Sequence, residues 1–300
     1  MQRGCAIVLI AAIWASHAFA QTAVGPNRSG HTDVAHIAPS HSDARIDSLL
    51  SVARKASLAF SNRSAAISAG YRRVGMDFPS MGEHWVNPRL VFEGKFDVAR
   101  PAILTYSLVH GRPTLLGVVF AIPLAPGEAP PAAFGPRAIW HEHNGSLEEE
   151  SLLPEHHSMP STESEVRLAV LHAWVRAANP DGVFEAENWA LPFIRLGLDV
   201  PASFPKGAAR ALSLLSGGER YFLSLGGEQA RAAIASSLAD CNDVARNIVS
   251  RAQTRTQPIR PADLRDLDRA WNAAVLSVRN TAGSDAAKRI NGGILPNETR

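Results

Sequence analysis

Two neighbouring apolar segments constrain the fold more than any other feature of this sequence. Residues 102–109 and 114–122 are rich in β-branched and large apolar side chains, which favour strands. Only the four residues His110-Gly111-Arg112-Pro113 join them, and a link this short is typical of a hairpin. The sequence therefore predicts an antiparallel sheet built on this hairpin.

Helical and turn-like patterns lie on either side of the predicted hairpin. Apolar side chains recur at three- and four-residue steps over residues 43–69, which predicts an amphipathic helix. Residues 70–90 are rich in turn-forming residues and are predicted to be irregular. Residues 137–144 are a candidate third strand.

A second helix is predicted over residues 162–178. Thr162 and Glu165 match the capping box that begins many helices. Asn179-Pro180 should end the helix, because the residue before a proline avoids the helical conformation. On such a helix His172 would share a face with apolar residues and point into the interior.

The last hundred residues are predicted to be all-helical. Two apolar seams recur at three- and four-residue steps; their members are Ile234, Leu238, Cys241, Ala245 and Ile248, then Leu264, Leu267, Trp271, Ala274 and Val278. We therefore expect an α+β domain over residues 43–200, with a small antiparallel sheet and packed helices, followed by a helical region over 201–300.

The N-terminus has the pattern of a secretory signal peptide. Arg3 provides a positive start, residues 6–14 a short apolar core and Ala18-Phe19-Ala20 a small-residue cleavage site. We expect cleavage near Ala20, export to the periplasm or the medium, and a disordered linker over residues 21–42. The apolar core is too short to span a bilayer, which needs about 20 residues in a helix, and we predict no transmembrane segment.

Composition excludes some classes of function. The formal net charge is +2, which gives no strong field to attract nucleic acid, and no nucleic-acid partner is expected. The sequence contains no Gly-x-Ser-x-Gly elbow, phosphate-binding glycine loop or His-Glu-x-x-His motif, which removes the commonest sequence signs of hydrolases and nucleotide-binding proteins.

Four histidines form the candidate functional site. His141 and His143 are two residues apart, so on an extended chain they would point to the same side; His84 and His172 lie in other segments. Imidazole suits zinc, copper and iron, and three or four can converge on one ion. We predict a divalent transition metal at His84, His141, His143 and His172, zinc or copper before iron. The hypothesis requires His84 and His172 to lie within about 10 Å of each other.

The reaction and the substrate stay open at this stage. Glu83, Glu142 and Glu187 are candidate general bases if the metal site is catalytic, and Trp85, Trp140 and Trp174 are candidate walls because each lies close to a histidine in the sequence. The alternative is a non-enzymatic module whose histidines are structural and whose C-terminal helices contact a protein partner.

Two motifs resemble an uncharacterised family of secreted bacterial proteins. They are Met81-Gly82-Glu83-His84-Trp85-Val86-Asn87-Pro88 and Leu171-His172-Ala173-Trp174, the second followed by Asn179-Pro180-Asp181-Gly182-Val183-Phe184. The resemblance covers roughly residues 45–190. Glu83 and Trp85 stand where the family has tyrosines, and Ala178 stands where it often has a histidine. The family has no activity to carry over, but the resemblance implies that His84 and His172 belong to one site.

Overall fold

The computed structural model describes residues 41–125, 127–143, 167–202, 204–254 and 258–292. Its centre is a six-stranded sheet in the order β1-β2-β3-β4-β6-β5, and all neighbouring strands are antiparallel. The strands are β1 (Arg72–Phe78), β2 (Gly82–Val86), β3 (Ile103–Val109), β4 (Arg112–Leu124), β5 (His141–His143) and β6 (Arg167–Ala173). Helices pack on this sheet and continue beyond it, so the predicted α+β class is confirmed.

The hairpin predicted from the two apolar segments is confirmed as β3 and β4. Val109 pairs with Arg112 at its tip, where His110 and Gly111 have φ angles of 49° and 72°. Such angles belong to the left-handed region, which glycine adopts freely and histidine adopts occasionally. Further along, a bulge between Thr105 and Tyr106 shifts the register of the pair.

Alternation along the strands gives the sheet two buried faces. Helix α1 (His41–Ser57) covers the first, which we call the α1 face; there Ile46, Leu50 and Ala53 pack with Leu104 and Phe120. The second we call the histidine face. Its apolar core includes Val86, Ile103, Val119, Ala121 and Val170.

The predicted helix over residues 162–178 is wrong, because residues 167–173 form strand β6. β6 lies between β4 and β5 and is buried on both faces, from Leu168 to Val175. A strand buried on both faces is a continuous apolar run without polar alternation, and by chance this run also satisfies helical spacing. The proposed capping residues Thr162 and Glu165 lie outside the described residues.

Other predicted elements also differ from the structure. The predicted helix over 43–69 is divided into α1, a 3-10 turn at Leu58–Phe60 and α2 (Arg63–Ser68). The break occurs at Asn62, whose side chain accepts a hydrogen bond from the Ala65 amide at 2.9 Å and caps α2.

Residues 70–90 are not irregular, because they form β1, β2 and the start of α3 (Pro88–Glu93). Of the predicted strand over 137–144, His141–His143 form β5, residue 137 ends a 3-10 turn, and residue 144 lies outside the described residues. Residues 41 and 42 of the predicted linker belong to α1, which begins at His41, and the rest of that linker lies outside the described residues. The predicted signal peptide over 1–20 lies outside the described residues.

The helical C-terminal region is confirmed. It follows α4 (Leu191–Leu196) and comprises α5 (Lys206–Ser213), a π-helical segment (Leu214–Gly218), α6 (Glu219–Leu225), α7 (Gly227–Thr254), α8 (Pro261–Ala282) and α9 (Ser284–Gly292). Both predicted seams are buried. The Ser277 hydroxyl in the second half of α8 donates a hydrogen bond to the Ser237 hydroxyl in the first half of α7. Arg251 near the end of α7 forms an ion pair with Asp263 near the start of α8, so the two helices pack antiparallel. None of the described helices is both long and apolar enough to cross a bilayer.

The sheet and the helices share part of one core. Phe78 at the end of β1 and Met81 just before β2 belong to the same buried cluster as the helical-side residues Phe193, Phe222 and Trp271. The end of β1 is therefore held on the helical side, close to the histidine face.

Candidate functional site

His84 and His172 approach each other across the middle of the sheet. His84 lies on β2 opposite Thr105 of β3, and Thr105 lies opposite Gly117 of β4. His172 lies on β6 opposite Val119, two residues further along β4. The ring centroids of His84 and His172 are 5.4 Å apart, with an angle of 81° between the ring planes. This separation is well within the limit that a shared site requires.

His141 adds a third ring to the group. Its backbone pairs with Val170 of β6, two residues before His172, so both histidines belong to the histidine face. The His141 and His172 rings are 5.6 Å apart and nearly parallel, at 22°. The Ile139 carbonyl accepts a hydrogen bond from the His141 ring, which fixes the orientation of that ring.

Burial keeps the imidazoles of His84 and His141 neutral. His84 is 0% exposed and His172 is 2% exposed. Loss of solvation, with a smaller contribution from nearby His141, lowers the pKa of His84 to about 3. Loss of solvation also lowers the pKa of His141 to about 4, against the opposing effect of the Ile139 carbonyl. Near pH 7 both rings are uncharged, the form in which histidine binds metals.

Aromatic rings form the wall of the site towards the helical region. Phe78 makes an edge contact with His84 at 6.1 Å between ring centroids, and Tyr221 of α6 contacts Phe78 in turn at 5.9 Å. Trp85 and Trp140 do not form this wall, because both pack on the α1 face, against Tyr106 and Phe96 respectively. Sequence reasoning missed Phe78 because it did not predict the β1–β2 pair that brings Phe78 beside His84.

For two other candidate residues, the metal ligand His143 and the general base Glu142, the structure describes only the backbone. His143 pairs with Leu168 and Glu142 with Ala169, at the outer edge of the sheet. Their side chains lie outside the described part of the structure. Within the described residues, no group of three or more His, Cys, Asp or Glu side chains is already arranged to hold a metal ion.

Glu83 lies on the opposite face from the three rings. Its carboxylate contacts the guanidinium groups of Arg63 at 2.6 Å and Arg73 at 3.0 Å, and it accepts a hydrogen bond from the Trp85 indole at 3.1 Å. Glu83 follows the strand alternation, so it points away from its neighbour His84. It is an ion-pair residue of the α1 face rather than a base beside the histidines.

The carboxyl group of Glu187 is buried on the helical side of the site, although the residue as a whole is half-buried. Burial raises the pKa of its carboxyl to about 7, against the opposing effects of the Ser80 hydroxyl and the Arg210 guanidinium. Burial, and to a smaller extent the charge of Glu187, raises the pKa of Tyr221. Tyr221 packs against Phe78 and Phe78 against His84, which places the Glu187 carboxyl behind the aromatic wall.

Comparisons with protein-family models, with curated proteins and with solved structures find no match to this chain. Any function for the site must therefore be inferred from the geometry of the three rings.

Proposed function

We propose that this chain is an exported protein that binds one transition-metal ion, zinc or copper, through His84, His141 and His172. The observation that carries the proposal is the separation of the rings, 5.4 and 5.6 Å between centroids. With metal–nitrogen bonds of about 2.0–2.1 Å, two imidazoles on one tetrahedral ion have their centroids about 5 Å apart. Small ring rotations would then bring the nitrogens onto one ion.

The state of the rings supports the same proposal. His84 and His141 are neutral at pH 7, so neither ring need lose a proton before it binds a metal. The hydrogen bond from the His141 ring to the Ile139 carbonyl is the arrangement that metal-ligating histidines use to fix their other nitrogen. His143 on the same short strand remains the proposed fourth ligand.

The burial of the site favours a structural or electron-transfer metal over a hydrolytic one. His84 and His172 are almost completely inaccessible to solvent, whereas a hydrolytic metal keeps a coordination position open to water and substrate. The proposed site of action is the periplasm or the medium, on the strength of the signal-like first 20 residues. There a ligand set made only of histidines needs no reduced thiols.

The second candidate function is a non-catalytic module whose histidines are structural. The stacking of His141 on His172 and the edge contact of Phe78 with His84 favour it, because aromatic core residues pack in the same ways. In that case the helices over 201–300 provide the surface for a protein partner.

Metal analysis of the purified mature protein tests the proposal. We expect about one equivalent of zinc or copper per chain after dialysis against the ion. Thermal unfolding should then shift upward, since a ligand at 100 times its Kd adds about 2.7 kcal/mol. His84→Phe and His172→Phe keep an aromatic ring but remove the ligand, and each should abolish stoichiometric binding.

His110→Asn is the matched control, because His110 is an exposed turn histidine and asparagine also tolerates its left-handed backbone. It should bind metal as the parent does. Absence of stoichiometric metal, together with melting that a chelator leaves unchanged, would instead establish the structural role. N-terminal sequencing of the exported protein tests cleavage near Ala20 separately.

A further inference from the structure

A cavity lies at the opposite end of β6 from His141, and none of the described residues that line it is a histidine. This cavity of about 420 Å³ opens where three segments meet: the start of β4, the loop after β6, and α4. Its volume falls within the range of about 300–1,000 Å³ that is usual for small-molecule sites. Leu116 and Ala190 are each 1% exposed and form part of its floor.

The lining of this cavity is mainly apolar. Val109, Leu115 and Ile194 contribute to it, and Val200, which is 40% exposed, extends the apolar surface to the rim. Water in such a space makes few hydrogen bonds, so an apolar ligand that displaces it gains free energy. The cavity therefore suits a hydrocarbon body.

One cation accompanies this apolar lining. Among the described residues, Arg176 is the charged side chain that lines the cavity, it is exposed, and it makes no ion pair within those residues. Its backbone position is fixed, since the amides of Arg176 and Ala177 both donate to the Leu116 carbonyl at 2.9 Å. Within the part of the chain that the structure describes, this guanidinium therefore lies beside an apolar space without a paired carboxylate.

We propose that this cavity binds a small amphiphilic monocarboxylate, such as a medium-chain aliphatic acid. The hydrocarbon part lies against Leu116, Ala190 and Ile194, and the carboxylate pairs with Arg176. The planar fork of a guanidinium matches the two oxygens of a carboxylate. A single arginine provides charge for a monoanion rather than for a polyanion.

Isothermal titration calorimetry of the full mature chain tests this site with two soluble probes below their micelle concentrations. Decanoate and decyltrimethylammonium carry the same alkyl chain with opposite charges. We expect one decanoate per chain, bound at least tenfold more tightly than the cation. Arg176→Gln should weaken decanoate binding about tenfold and leave binding of the cation unchanged. Arg112 is an exposed arginine at the hairpin tip that does not line the cavity, so Arg112→Gln is the control and should change the affinity for neither probe.

Ala177→Leu tests the apolar half of the site, because the larger side chain occupies part of the cavity. It should weaken both probes, and near-UV circular dichroism establishes that each variant is folded. The proposal is overturned if neither probe binds saturably, if both bind equally, or if Arg176→Gln leaves decanoate affinity unchanged. Arg176 is exposed, so its variant decides the question even if Ala177→Leu does not fold. Neither result depends on the metal proposal.

Discussion

The buried, neutral imidazole of His84 makes the free energy of unfolding depend on pH. Burial lowers its pKa to about 3, while the unfolded chain titrates near the ordinary value of about 6.5. Between these values the unfolded state binds a proton that the folded state excludes, so the free energy of unfolding rises with pH. The stabilisation is present above about pH 6.5 and is lost as the pH falls towards about 3.

The titration of Glu187 changes the free energy of unfolding with pH in the opposite direction. Burial raises its pKa to about 7, above the value of about 4.3 for an exposed glutamate. Its folded form holds a proton that the unfolded form releases, so its contribution is present below about pH 4.3 and is lost as the pH rises through about 7. A pH profile of the unfolding free energy of the parent protein alone would therefore combine the contributions of His84 and Glu187.

The effect of His84 can be isolated with His84→Phe. Between pH 4 and pH 6 we expect the unfolding free energy of the parent to rise by about 1.4 kcal/mol per pH unit more than that of the variant. Urea unfolding with a chelator present measures the difference, and Glu187 cancels because both chains contain it. His110→Asn should follow the parent, and equal slopes for parent and His84→Phe would contradict the low pKa of His84.

At the scale of elements, the sequence was most informative where a segment is buried on one side only. The seams of α7 and α8 were predicted residue by residue, because polar positions separate the apolar ones on each helix. The β3–β4 hairpin is an exception, because both strands are largely buried on both faces; its short link and its β-branched composition predict it instead. The helix prediction for β6 is wrong because both faces of this strand are buried, which removes the alternation that identifies a strand.

The candidate site was only partly predictable for the same reason. His84 and His172 were selected from their motifs and His141 from its spacing, and the structure brings these three rings together. Phe78, Tyr221 and Ser80 were not selected, because their proximity to the site or to Glu187 depends on the β1–β2 pair and on the packing of α6. Such contacts between distant segments have no local signature in the chain.

Gly117 illustrates how closely the strands approach at the centre of the sheet. A Cβ atom there would lie 2.5 Å from the Ala173 carbonyl oxygen, closer than real contacts allow. Gly117→Ala must therefore shift β4 relative to β6, and we expect a loss of about 1–3 kcal/mol of unfolding free energy. Urea unfolding measures this loss. Gly292→Ala is the control, since apart from its chain neighbours and its own helix backbone no described atom lies within 4 Å of that Cβ position. Equal stability of the two variants would show that β4 and β6 have room to adjust.

For the whole molecule, the shared core determines whether the sheet and the helices unfold together. Phe78 and Met81 pack with the helical residues, and a buried ion pair reinforces the same junction. The Arg195 guanidinium, 1% exposed, contacts Asp77 of β1 at 2.7 Å and donates to the carbonyls of Phe78 at 2.9 Å and Ser216 at 3.3 Å. One arginine thus connects α4, the end of β1 and the π-helical segment.

Asp77→Ala removes the anion and leaves the Arg195 charge buried. Removal of one partner of a buried pair is strongly destabilising, because the remaining charge keeps its desolvation cost. Asp77 is partly exposed, so we expect a loss of about 2–4 kcal/mol. Asp266→Ala, which breaks the exposed pair with Arg269, should change stability by less than about 0.5 kcal/mol.

Cooperativity is the second readout of the same experiment. Tryptophan fluorescence reports on both the sheet and the helices, whereas circular dichroism at 222 nm is dominated by helix. Because Phe78 and Met81 are members of the helical core, we expect the two signals to give coincident urea transitions in the parent chain. In Asp77→Ala the common midpoint should fall while the two signals still coincide, since the shared apolar contacts remain.

Two results would contradict this account of the junction between sheet and helices. Separate transitions in the parent chain would mean that the junction is too weak to couple the sheet to the helices. An unchanged midpoint in Asp77→Ala would mean that the Asp77–Arg195 pair contributes nothing to the stability of the junction.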